Sequence, residues 1–211
     1  MKKGLLLIIS GPAGSGKGTV LSHMLAGRDD FAYSVSVTTR APRPGEVDGV
    51  NYHFVSHAEF DRLVETDGLL EYTRYADNGY GTPRAAAEEV LASGRNLILE
   101  IEVDGAMQVK AKFPEAVAIM LLPPSFAVQE ARLRGRGTET EESIRVRLNN
   151  VAGEVSTAYK YDYVIIHQDW ADVPNALEIA SDEVYSIITA KRCEESYRAD
   201  FLDSLMSELK A

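Results

Sequence analysis

Cysteine is almost missing from this chain, with one thiol, Cys193, in 211 residues. An internal disulfide framework is excluded, and the composition suits a reducing, cytoplasmic setting. Basic charge is also scarce: 22 Lys and Arg stand against 32 Asp and Glu, a net charge of −10. Non-specific nucleic-acid binding needs a basic surface, so no nucleic-acid partner is expected. Any polyanionic ligand must be held by local arginine clusters instead. Long apolar runs are lacking too. The first, Leu5–Ile9, is stopped by Ser10, Gly11 and Pro12, too short for a signal h-region or a membrane span. Internal repeats and low-complexity tracts are absent. Hydrophobic residues, at 45%, suffice for one real core, so a single domain with small inserted lobes is expected.

Residues 11–19 read GPAGSGKGT and lie between the apolar run 5–9 and a helical pattern beginning near Lys17. A buried strand, a glycine-rich turn, a lysine and a helix make a phosphate-binding loop. Gly11, Gly14 and Gly16 let the backbone wrap an anion, and the helix start adds its positive dipole end. Lys17 is then placed to reach the outer phosphates of a nucleotide. The hydroxyl usual directly after the lysine is replaced by Gly18, and Thr19 supplies the next one.

The apolar runs 5–9, 97–103, 117–122 and 163–166 alternate with helical stretches, the pattern of an α/β protein with a central parallel sheet flanked by helices. Thr82 and Pro83 predict an N-cap and first helical residue for a helix ending at Gly94. Asp104 predicts the cap of a helix over 105–113. Between these elements, Phe31–Thr39, Tyr52–Val55 and Leu69–Tyr75 read as further strands, and Ser56 to Glu59 as a capping box opening a short helix. The expected division is a core of 1–32, 84–124 and 160–211, an inserted lobe of 33–83, and a lid region of 125–159. The lid reading rests on Gly135, Arg136 and Gly137 followed by a charged helix from Glu141. The last twenty residues read as an amphipathic helix.

Further chemistry is clustered. Arg40 and Arg43 lie three apart in a proline-stiffened turn, where a planar guanidinium suits phosphate and Glu46 or Asp48 offers a structural partner. Tyr52, Tyr80 and Thr82 bring hydroxyls, and Glu71 follows an apolar pair. Glu100 and Glu102 alternate with Leu99 and Ile101, which predicts both carboxylates on one side near a strand end. Arg132, Arg134, Arg136, Arg145 and Arg147 crowd the lid region; Glu141 is spaced to pair with Arg145. Arginines on a mobile flap are what phosphoryl transfer uses to neutralise spreading charge.

Five segments carry a resemblance: SVSVTTRAPRPGEVDGVNYHFVS (34–56), the Glu71 segment, GYGTP (79–83), LEIEVDGA (99–106) and GRGTETEESIRVRL (135–148). In order and spacing they closely resemble the catalytic guanylate kinases, over nearly the whole chain to about residue 170. The resemblance implies a P-loop kinase that moves a phosphoryl group from ATP to GMP or dGMP, with Mg2+ bound mainly through nucleotide phosphates and water. It implies an ATP site of Gly11, Pro12, Ala13, Gly14, Ser15, Gly16, Lys17, Gly18, Thr19 and Arg132. It assigns GMP to Ser36, Arg40, Arg43, Tyr52, Glu71, Tyr80, Thr82 and Glu102, and catalysis to Lys17, Arg40, Arg136 and Arg147. No metal ligand from the protein, and no membrane, is implied. The chain departs from the family pattern at Gly18, at Glu102 in place of aspartate, at Asp104 where glutamine is frequent, and at His167 where asparagine often meets adenine. Two other readings share the sequence features: a kinase for another phosphorylated acceptor, and a module that binds phosphopeptides.

Overall fold

The computed structural model describes residues 3–75, 77–135 and 141–209. Its main sheet has five strands, all parallel. They are β1 (Leu6–Ser10), β2 (Phe31–Tyr33), β7 (Asn96–Glu100), β8 (Val117–Leu122) and β9 (Tyr163–Ile166), in the order β2-β7-β1-β8-β9. Strand β1 lies at the centre, with Ile8 opposite Leu99 on one side and Ala118 on the other. Parallel sheets are covered on both faces, which is why these strands read as unbroken apolar runs.

The two faces of β1 divide by the strand period of two. Leu5, Leu7 and Ile9 pack with Val20 and Met24 of helix α1 (Lys17–Leu25) and with Val184 and Ile188 of α7 (Ala176–Lys191). Leu6 and Ile8 pack with Leu91 of α3 (Arg84–Ala92) and with Ala106 and Val109 of α4 (Val103–Lys112). The core therefore lies directly beneath the ends of β1, β7 and β8.

A second, four-stranded sheet is built from β3 (Val37–Thr38), β4 (His53–Phe54), β5 (Leu69–Tyr75) and β6 (Asn78–Pro83), in the order β4-β3-β6-β5. Helix α2 (His57–Glu65) closes a small core of Val37, Phe60 and Leu69. Its N-cap is Ser56, whose hydroxyl accepts the Glu59 N–H at 3.1 Å. The Glu59 carboxylate turns instead to Arg62, at 2.8 Å, so only half of a capping box forms.

The chain continues through α5 (Phe126–Gly135), α6 (Glu141–Ser156), a 3-10 turn at Ala158–Lys160, and α8 (Glu195–Glu208). Among the described residues no helix is long and apolar enough to cross a membrane.

Four local expectations need correction. Residues 31–39 form two strands in different sheets, β2 and β3, because the chain leaves the main sheet after Tyr33. Thr82 lies inside β6, which runs on to Pro83, and Pro83 serves as the N-cap, with φ −60° and ψ 121°. Helix α4 starts at Val103 with Glu102 as its N-cap, which places Asp104 in the first turn. Strand β7 consequently stops at Glu100, and Glu102 does not continue its alternation.

Ile8 is completely buried. Ile8→Ala should destabilise the fold by about 2–5 kcal/mol, the usual range for an aliphatic side chain removed from a packed core. Urea unfolding should show a lower midpoint at unchanged slope; an unchanged midpoint would remove β1 from the core.

Candidate active site

Beyond β1 the chain enters a tight loop. A side chain at Gly11 would place its Cβ 2.1 Å from the Leu121 carbonyl, and at Gly16 2.3 Å from His167 Nδ1. Gly16 caps α1 in the left-handed region, with φ 95°, and no side chain hydrogen-bonds into that cap. The first turn of α1 thus meets the loop as backbone alone, the arrangement that favours an anion. Lys17 Nζ folds back over the loop to the Gly11 carbonyl, with Pro12 O at 3.5 Å. Pro12, Gly14 and Ser15 are buried, Ala13 is half-buried, and Gly18 and Thr19 are exposed on α1.

The loop is braced from α5 and from the segment after β9. Gln129 Nε2 donates to the Ala13 carbonyl at 2.7 Å. Arg132 donates to the carbonyls of Ser15 (3.3 Å), His167 (3.3 Å) and Gln168 (2.7 Å). His167 Nδ1 also lies 3.1 Å from the Ser15 carbonyl. A carbonyl only accepts, so Nδ1 carries the hydrogen, and burial holds this imidazole below its ordinary pKa, in the neutral form. Trp170 meets the His167 ring edge to face, 5.8 Å between centroids. Together with Gly14, Gly16, Thr19 and Arg132, these two rings line a cavity of about 410 Å³.

The second sheet carries the other cluster. Arg40 pairs with Glu46 at 2.9 Å, and Glu46 also accepts the Arg43 N–H at 2.7 Å. That pairing holds the Glu46 carboxyl below the usual range and raises Arg40. The Arg40 guanidinium lies 5.4 Å from the Tyr52 ring, and Tyr52 meets Tyr80 edge-on at 6.2 Å. The Arg43 side chain extends from an exposed stretch of the turn, while Ser36 is half-buried just before β3. The structural partner foreseen for this turn is therefore present, as Glu46; Asp48 instead accepts the Phe54 N–H at 2.8 Å.

Glu71 is 4% exposed. The pairing of β5 with β6 slips between Leu69 and Tyr72, so one extra residue of β5 faces Thr82. Such a bulge re-aims a side chain, and here the Thr82 hydroxyl donates to Glu71 Oε1 at 2.7 Å. Burial raises the Glu71 pKa above the ordinary carboxylate value; the Thr82 hydrogen bonds and Lys112 oppose it without cancelling it.

Two elements tie the clusters together. The Tyr33 hydroxyl donates to Glu100 at 2.8 Å at the end of β7, and Tyr33 also interacts with Tyr52. Glu154 of α6, half-buried, feels both Lys17 and Arg147, and with them Glu102. Burial first, then Glu102, pushes the Glu154 pKa up, while Lys17 and Arg147 pull it down. Glu154 and Trp170 escaped the sequence reading. The only trace of Glu154 was its place two turns after Arg147 on one helix. In the lid region Glu141 pairs with Arg134 rather than Arg145, and Arg134 also holds Glu130 at 2.8 Å. The start of α6 meets the end of α5, and that tertiary contact outcompetes the i,i+4 spacing. Arg136 lies outside the described residues.

A parallel sheet with a glycine loop and lysine at the end of its central strand, beside a smaller sheet holding an arginine–tyrosine cluster and a buried acid, places the chain in a class: the α/β kinases. A sequence model of the guanylate kinase family matches residues 3–183, and the chain belongs to that family of nucleoside monophosphate kinases. It is 48% identical to a guanylate kinase of Halalkalibacterium halodurans over 92% of this chain and 91% of the relative. It is 42% identical to one from Clostridioides difficile over 99% of each. The crystal structure of guanylate kinase from Anaplasma phagocytophilum superposes with a TM-score of 0.70 at 32% identity, covering 92% of this chain and 89% of that one.

The buried acid has a cost that can be measured without substrate. With its folded pKa raised, Glu71 favours the fold at low pH, and that contribution is lost as pH rises through the folded value. Glu71→Gln keeps an acceptor for Thr82 and removes the charge. It should therefore melt above the wild type at neutral pH, with the gap closing on acidification through the carboxylate range. A constant gap, or none, would contradict the assignment of a desolvated carboxylate.

Proposed function

We propose that this chain transfers the γ-phosphoryl group of ATP to the phosphate of GMP, or of dGMP, giving ADP and GDP. The observation that carries the reading is the Glu71 carboxylate, buried and held at 2.7 Å by Thr82 on the smaller sheet, apart from the Lys17 loop on the main one. Guanine presents two adjacent donors, N1–H and the 2-amino group. An ionised carboxylate is a pure acceptor and suits both. Adenine offers an unprotonated N1 and no 2-amino group, so it would leave the same carboxylate desolvated and unanswered. Ser36 and Thr82 complete this base-reading set, with Glu102 nearby.

The acceptor phosphate falls to Arg40, Arg43, Tyr52 and Tyr80. Glu46 pairs with Arg40, and the phosphate takes its place on binding. A phosphate monoester has a second pKa of about 6, so the nucleophile is already a dianion at neutral pH and needs no general base. The obstacle is repulsion between two polyanions. Residues 11–19 with Lys17 hold the donor phosphates, and Arg136 and Arg147 approach from the lid to meet charge on the transferred group. Arg132 serves the donor side by fixing the loop through Ser15. The cavity at His167 and Trp170 receives the donor base. Lid closure excludes water, which would otherwise hydrolyse ATP.

Magnesium fits this donor set. Among the described residues no three acidic, histidine or cysteine side chains converge on one point. Mg2+ seldom asks for such a cage, and ordinarily binds through one or two carboxylates, water and substrate phosphates. Glu102 and Glu154, grouped with Lys17, are the carboxylates that would hold its water shell. When bound it neutralises phosphate charge. The single free cysteine supports a cytoplasmic setting.

Lys17→Ala separates the two sites. Turnover should be abolished while calorimetry finds GMP affinity within about twofold of wild type, because a cation that acts on the donor phosphates contributes little to an acceptor bound on the other sheet. A comparable loss of GMP affinity would contradict the assignment of separate donor and acceptor sites.

A further inference from the structure

Helix α4 and strand β5 are joined by one row of contacts. Tyr72 N–H donates to Gln108 Oε1 at 3.2 Å, and Gln108 Nε2 donates to the Tyr72 carbonyl at 2.8 Å. A turn further on, Lys112 Nζ reaches the Leu69 carbonyl at 3.4 Å and Asp67 at 3.1 Å. Gly105 precedes Gln108 by three residues and Lys112 by seven, so it lies on the same helix face. That face meets β5 at Glu71. A Cβ built on Gly105 stands 2.6 Å from Glu71 Oε2, 3.1 Å from Cδ and 3.5 Å from Cγ. Its three nearest neighbours are all atoms of this one side chain.

Nothing in the backbone asks for glycine here. Gly105 is the third residue of helix α4, is not among the residues with positive φ, and glycine is a poor helix former. What glycine provides is room. Any side chain at 105 would force a displacement, and the helix is held in place by Gln108 and Lys112. The Glu71 carboxylate is the free end of a flexible chain, so the carboxylate is what moves.

We propose that Gly105 is a specificity-determining position of the acceptor site: its missing side chain lets Glu71 present its carboxylate to the base. The proposal rests on the reading of Glu71 as the guanine acceptor. Gly105 touches no substrate; it is a positioning residue that acts through Glu71.

Four proteins test this: wild type, Gly105→Ala, Glu71→Ala and the double variant. In Gly105→Ala the KM for GMP should rise about tenfold to a hundredfold, the worth of one charge-assisted hydrogen bond, with the KM for ATP within about twofold. In the Glu71→Ala background the same change should leave the KM for GMP where Glu71→Ala alone put it. Melting temperatures give a second readout that needs no substrate. Gly105→Ala should lower the melting temperature with Glu71 present and raise it with Glu71 removed, because alanine then brings only its better helix propensity. A Gly105→Ala protein that folds only when combined with Glu71→Ala would support the proposal in the same way. Shifts of one sign in both backgrounds, failure of both to fold, or an unchanged KM for GMP in Gly105→Ala would overturn it. A Glu71→Ala protein with the wild-type KM for GMP would overturn the reading of Glu71 itself. A weakened Glu71→Ala beside an unaffected Gly105→Ala overturns only the role of Gly105.

Discussion

Strand β1 hydrogen-bonds in parallel to β7 on one side and β8 on the other, so three strand ends leave the main sheet along one edge. From that edge come the glycine loop after Ser10, the turn through Ile101 and Glu102 after β7, and the connection after Leu122. Ser10 locks two of them together, its hydroxyl donating to the Ile101 carbonyl at 2.7 Å. Parallel pairing is what makes this convergence possible. It directs every carboxyl end the same way and leaves the helices to cover both faces. The loop is fitted closely to its surroundings: the approach of the Leu121 carbonyl leaves no room for a side chain at Gly11, and the Ser15 carbonyl is braced by Arg132 and His167.

A chain with a net charge of −10 builds a cationic site by giving its cations internal counterparts. Arg40 rests on Glu46, and Glu154 lies among Lys17, Arg147 and Glu102. These acids keep arginine and lysine side chains gathered. Under the proposed reaction they are displaced or screened when polyanions arrive. Glu71 is the opposite case, a carboxylate kept from water with a hydroxyl as its partner, raised in pKa by burial. Under the proposed reaction, stability is sacrificed there for an acceptor that a purine with adjacent N–H groups can answer. Selectivity of this kind comes from the penalty on a wrong base, which leaves the acid buried and unpaired.

Much of this was legible in the sequence, for physical reasons that differ by element. The glycine loop was readable because Gly14 and Gly16 occupy positive φ, 83° and 95°, a requirement that narrows the choice of residue. The strands of the parallel sheet were readable because burial on both faces makes them uniformly apolar. Thr82 was misread as a cap because a threonine before proline looks the same in a strand end as at a helix start; its hydroxyl had a partner eleven residues away. Arg134 took Glu141 from Arg145 through a contact between two helices, which spacing along one helix cannot reveal. Glu154, Trp170 and Gly105 were invisible for the same reason. Their neighbours, Lys17, His167 and Glu71, are brought to them only by the fold.

The central claim is that a phosphoryl group passes from ATP to an acceptor chosen by a buried carboxylate. It is tested most directly by following ADP formation from ATP with the intact protein and Mg2+, offering GMP, dGMP, IMP, AMP and a ribose bisphosphate in turn. The account predicts rapid turnover with GMP, less with IMP, which keeps N1–H but lacks the 2-amino group, and little with AMP or the ribose bisphosphate. Turnover with AMP equal to that with GMP would contradict the reading of the acceptor site, and well-folded protein that makes no GDP would contradict the reaction.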